Sequence, residues 1–101
     1  MAVGRRLGMS TVAVLRAIDD GHCYGFGIMD VTQLPGGTVY PALAKLERDQ
    51  LVQSRWEDPT VAQDEKRPPR RYYDITDGGR AKLQESLAWL QGVATAGSGR
   101  A

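Results

Sequence analysis

Four cations, Lys66, Arg67, Arg70 and Arg71, fall within six residues of one another. Clustered Lys and Arg neutralise phosphate, and their affinity for a nucleic acid comes largely from the counterions they displace. Arg55 lies a short way upstream and belongs beside them. A second group, Gly37, Thr38, Tyr40 and Lys45, sets small residues at the start of a helix with polar groups one turn on, a pattern that lets a helix end approach base edges and phosphates. Catalysis is not expected. His22 and Cys23 are adjacent, but a metal site needs three or four ligands and the chain has no other His or Cys. A Cys nucleophile would need a base of its own. There is no glycine-rich phosphate loop after a strand and no hydrolase motif, so neither a catalytic residue, a metal nor a cofactor is expected.

The elements that must position these side chains centre on Gly25 to Val52, which reads as a short helix, a tight turn and a second helix. Leu34-Pro35-Gly36-Gly37 is expected to supply the turn, with Pro presetting φ and the glycines permitting positive φ. Beyond it, Val39, Leu43 and Leu46 fall at i, i+4 and i+7 on one apolar face, while Tyr40, Ala44, Lys45 and Arg48 point elsewhere. Pro41 is tolerable only near a helix start, so this helix begins within two residues of Gly37. A helix–turn–helix of this kind lays its second helix in the major groove of DNA, although glycine-turned helical hairpins also occur in proteins that never meet DNA.

Around this pair stand simpler elements. Val12, Leu15 and Ile18, with Val14 and Ala17, make an amphipathic first helix from Gly8 to Asp20, capped by Ser10 or Thr11. Arg5 and Arg6 before it read as solvated charges, with a phosphate-touching arm as the other reading. Leu51 to Glu57 alternates apolar with polar, and Arg71 to Ile75 offers a partner strand. The hairpin they form has a long polar tip from Asp58 to Pro69. Acidic Glu57, Asp58, Asp64 and Glu65 occupy the outer loop, which leaves the basic cluster at the base of the second strand; Trp56 is expected in the core. Thr76 caps a last helix that Gly78 and Gly79 weaken by about 1 kcal/mol each relative to alanine. Leu83, Leu87, Leu90 and Ala94 form one seam on it, while Trp89 and Val93 lie on another face. Two apolar faces imply two surfaces to cover, the second most simply by the same helix of another copy.

Composition sets the bounds. With 101 residues, 42% of them apolar, and a net charge of +1, the chain suits one domain with a small core and has no global attraction for nucleic acid. Cys23 alone precludes an internal disulfide and suits a reducing cytoplasm. No apolar run nears the roughly 18 residues of a membrane span, and no signal peptide is evident. A cytoplasmic protein without membrane contact is expected.

Three blocks carry a family resemblance. Gly37-Thr38-Val39-Tyr40-Pro41-Ala42-Leu43, followed by Lys45-Leu46-Glu47, resembles the recognition-helix signature of the PadR-like transcriptional regulators. Arg67-Pro68-Pro69-Arg70-Arg71-Tyr72-Tyr73-Asp74-Ile75-Thr76, running on through Gly79-Arg80, is similar to that family's wing, and Tyr24-Gly25-Phe26-Gly27-Ile28-Met29 to its second-helix opening. Gly36 departs from a common capping Ser, and Asp77-Gly78 from two acidic residues. The resemblance implies a mainly α fold with a small β-hairpin: a winged helix–turn–helix over 1–75, a C-terminal dimerisation helix over 76–95 and a flexible tail over 96–101. It also implies a dimeric repressor on a palindromic double-stranded DNA operator, with Leu83, Leu87 and Leu90 in the dimer contact. A small aromatic effector could then meet Trp89, which otherwise reads as a packing anchor. A winged-helix module that binds protein instead of DNA is the alternative.

Overall fold

The computed structural model describes residues 6–98, with side chains as far as residue 92. Five helices and a two-stranded hairpin follow one another along this span. Helix α1 (Met9–Asp19) buries Val12, Val14, Leu15, Ala17 and Ile18. Its cap is Gly8, in an extended conformation without a side-chain hydrogen bond, and neither Ser10 nor Thr11 serves. Gly8 already turns the chain, so both hydroxyl residues fall inside the first turn. At the other end Gly21 takes φ +104°, and hydrogen bonds from Gly21 N to Ile18 O and from His22 N to Ala17 O close the helix in a Schellman turn.

Helix α2 (Gly25–Thr32) and helix α3 (Gly36–Arg48) form the helical pair, but the turn between them is built differently from the expectation. Gln33, not a glycine, adopts the left-handed conformation, at φ 60°. Local side chains hold it: Thr32 Oγ1 donates to Ile28 O at 2.6 Å and accepts from Leu34 N at 3.3 Å, and Gln33 Nε2 donates to Asp30 O at 2.7 Å. Extended Pro35 then caps α3, and both Gly36 and Gly37 are already helical. Pro41 sits in the second turn, where only the Gly37 carbonyl loses its partner.

Strands β1 (Val52–Trp56) and β2 (Arg71–Ile75) pair antiparallel, from Val52 opposite Ile75 to Trp56 opposite Arg71. A bridge between Tyr24 and Tyr72, with Tyr73 N donating to Cys23 O at 2.7 Å, ties the hairpin to the start of α2. The wing tip contains a short helix, α4 (Pro59–Asp64), whose Ala62 is buried. Its start was written in the sequence as an Asx cap before a proline: Asp58 Oδ1 accepts from Thr60 N at 2.8 Å.

Helix α5 (Asp77–Ser98) starts at Thr76, whose Oγ1 accepts from Gly79 N at 2.9 Å and donates to Gln50 O at 2.8 Å. Arg80 reaches Asp19 at 3.3 Å and pins α5 to α1. Leu83, 1% exposed, completes a core made chiefly of Leu15, Ile28, Val39, Leu43, Leu46 and Val52, with Leu87 and Leu90 packed at its margin. The helix continues past the expected boundary at 95, and residues 99–101 of the expected tail lie outside the described span. The same is true of Arg5, and of the side chains of Val93 and Ala94.

Candidate nucleic-acid interface

Burying Val39, Ala42, Leu43 and Leu46 leaves α3 one open face, formed by Gly37, Tyr40, Pro41, Ala44 and Arg48 at helical spacing. Nothing lies within 4 Å of the position a Gly37 Cβ would take, so this face is free to approach a large ligand closely. Thr38 and Lys45 are half-buried at its edges. Tyr40 is anchored: its ring packs onto Gly25, where a Cβ would overlap the tyrosine hydroxyl. Glycine at position 25 thus lets α2 come up against the exposed face of α3.

The wing approaches this face from the side, and its cations divide into two kinds. Arg67 turns inward. Its guanidinium holds Glu57 by paired hydrogen bonds of 2.6 and 2.9 Å, and Glu57, expected in an outer loop, is only 7% exposed. The same carboxylate accepts from Arg70 N and from the Tyr72 hydroxyl, each at 3.2 Å. These bonds, led by that from Arg67, hold Glu57 ionised and lower its pKa from the ordinary 4.5 to about 2. Arg67 is stabilised as a cation by the same pair. Arg70 and Arg71 stay outside: Arg70 stacks on the Tyr24 ring at 4.0 Å, while Arg71 donates to Ser54 Oγ at 2.7 Å and lies 3.4 Å from Glu47 at the end of α3. Arg55 pairs with Asp74 at 3.0 Å, and Lys66 is exposed at the outer end with φ 57°.

Between wing and helices opens a cleft of about 690 Å³, walled by aromatic residues with the wing arginines on its rim. Trp56 corrects its expected place in the core: it is 64% exposed and borders this cleft, with Arg71 stacked 5.4 Å from its ring centre. Strand parity puts Trp56 on the same side as buried Val52, but β1 outruns the core before reaching it. Phe26, 73% exposed, was likewise missed, since an isolated aromatic in a helix reads as core.

Away from this cleft, Trp89 is 42% exposed on α5 with the Arg6 guanidinium 4.1 Å above its ring. Leu7, Met9, Val12, Ser86 and Leu90 complete a groove there. Among the described residues no cluster of His, Cys, Asp and Glu could hold a metal, and no helix is long and apolar enough to cross a membrane.

Comparison with known proteins agrees with this geometry. A PadR-like transcription factor from Bacteroides fragilis superposes with TM-score 0.77 at 25% identity, over 93% of this chain and 91% of its own. A PadR family regulator from Clostridium difficile gives 0.77 at 21% identity, over 88% and 94%. Bordetella bronchiseptica BpsR, whose DNA binding is regulated by 6-hydroxynicotinic acid, shares the fold, with TM-score 0.74 at 18% identity over 97% of this chain and 70% of its own. No match is found among curated proteins. The model of the transcriptional regulator PadR-like family matches residues 14–85, well over half of the sequence. On that match the chain belongs to the PadR-like family of DNA-binding transcriptional regulators.

Proposed function

We propose that the protein is a dimeric repressor that reads a palindromic operator and is released by a small molecule. The observation that carries this reading is the bare face of α3, running from Gly37 to Arg48, beside two outward arginines of the wing. In this reading Gly37, Thr38, Tyr40 and Lys45 meet base edges and phosphates, while Lys66, Arg70 and Arg71 hold the backbone. Arg67 acts at one remove, by bracing the wing through Glu57.

Helix α5 joins two copies. Leu83 is committed to this chain's own core, so the contact falls to the margin at Leu87 and Leu90 and to the Trp89 groove. Regulation of BpsR by an aromatic acid supports release of this protein by a small aromatic effector.

The test is fluorescence anisotropy of labelled DNA from the promoter of the protein's own gene. Arg70→Ala is expected to weaken binding to all sequences about equally and to reduce the slope of log affinity against log salt by about one. A loss confined to one sequence, with the salt slope unchanged, would contradict the phosphate role. Repression itself is read from a reporter driven by that promoter, which should rise when the regulator is removed.

A further inference from the structure

Glu47 stands seven residues after Tyr40, half-exposed on the same stripe of α3. A carboxylate is out of place there on two counts: it lies in the last turn of the helix, at the negative end of the helix dipole, and it shares a face with groups read as meeting phosphate. Its partners resolve this. Glu47 Oε2 accepts from Ser54 Oγ at 2.5 Å, Arg71 Nη2 lies 3.5 Å from Oε1 and 3.4 Å from Oε2, and the same Nη2 donates to Ser54 Oγ at 2.7 Å. The three side chains thus close a ring of hydrogen bonds across the end of α3, the middle of β1 and the start of β2. Among the described residues Arg55 pairs with Asp74 and Arg67 with Glu57, both inside the wing, so Arg71 alone of the wing's arginines is tied to a carboxylate of α3.

We infer that Glu47 is a positioning residue for DNA selection: it holds Arg71 against α3 and yields it to phosphate only when that helix is fully seated. The inference rests on the reading of α3 and the wing as the DNA-binding surface. Both side chains are partly open, Glu47 38% and Arg71 41% exposed, so the pair can part without stranding a buried charge. Parting still leaves a carboxylate beside a polyanion, and like charges set together are unfavourable. A loosely held duplex offers phosphate only at a distance, which does not displace a carboxylate at 3.4 Å; a seated duplex brings phosphate within hydrogen-bonding reach of the guanidinium. Specificity is a difference between affinities, and Glu47 widens it by withholding one cation from the wrong sequences.

The test sets the full chain against two duplexes of equal length, one that the chain itself enriches from a random pool and one with the same bases scrambled. Arg71→Ala should lower the slope of log affinity against log salt by about one on the selected duplex and leave it unchanged on the scrambled one. Glu47→Gln keeps the shape of the side chain and an acceptor for Ser54 but drops the charge. It should steepen the scrambled slope by about one and raise affinity there by up to about tenfold at low salt, so that preference for the selected duplex falls. In an Arg71→Ala background the same substitution should change neither slope. An unaltered preference in Glu47→Gln overturns the inference, and so does an equal gain without Arg71, because Glu47 would then act on DNA directly. Melting temperatures at low salt judge the pairing without DNA: the double variant should lose less than the two single variants together, and additive losses overturn the pairing itself. If the losses are non-additive but no duplex is enriched or bound, the pairing of Glu47 with Arg71 stands, and the DNA reading falls together with the selection that rests on it.

Discussion

Glu57 is the residue on which the wing turns. It gathers Arg67, the Arg70 amide and Tyr72, and so joins the end of β1, the exit from α4 and the start of β2. Because its pKa is lowered from 4.5 to about 2 on folding, the bonds to its carboxylate contribute stability that is fully present above about pH 4.5 and lost as pH falls toward 2. Melting temperatures taken from pH 7 to pH 2 should show this loss in the wild type and a shallower acid limb in Glu57→Gln. An unchanged acid limb would sink the account. Arg67→Ala should destabilise more than Glu57→Gln, since it leaves a carboxylate without its cation, and it should alter the salt slope of DNA binding less than Arg70→Ala does. None of this pairing was legible in the sequence. Four cations in six residues show proximity, but which of them faces a carboxylate depends on a partner ten residues away, folded back across α4.

Glycine reads differently once the elements are assembled. Gly78 and Gly79 look alike in the sequence, two helix-weakening residues after a cap, yet only one has a structural reason. A Cβ on Gly79 would collide with the Leu51 carbonyl, which accepts the Thr76 amide at 3.1 Å, whereas on Gly78 it would make ordinary contact at 3.8 Å with Thr76 Oγ1. Gly79→Ala should therefore lower the melting temperature despite alanine's better helix propensity. Gly78→Ala should raise stability by up to about 1 kcal/mol. Thermal denaturation of the two variants decides it, and similar shifts in the same direction would show that the close approach of α5 to Leu51 is wrong. Helices α1, α3 and α5 and both strands were readable from apolar spacing, because a single core lies against one face of each, whereas α2 was read only as the short helix ahead of the turn. The αL turn at Gln33 was not, since it depends on the Thr32 and Gln33 side chains and the glycines beside it are drawn into α3. Helix α4 escaped because six mostly polar residues carry too little periodicity to register, although its Asp-Pro start was visible.

At the scale of the whole molecule, one small core serves two surfaces that lie apart. The α3 face and wing look one way; the groove of Met9, Trp89 and Leu90 lies on the side of α1 and α5. The sequence carried the first surface well, because the buried stripe of α3 fixes its exposed stripe by default. It carried the second less well, since Leu83 and Leu87 had to be shared between this chain's core and a partner, and periodicity alone does not divide them. If α5 pairs two copies about a two-fold axis, their α3 helices enter successive major grooves on one side of the duplex. The most direct test is a hydroxyl-radical footprint on the promoter of the protein's own gene. The account predicts two protected patches of equal strength, about 34 Å apart and related by a palindrome, both lost together in Arg70→Ala at raised salt. One isolated patch, or uniform protection without a centre of symmetry, would contradict it.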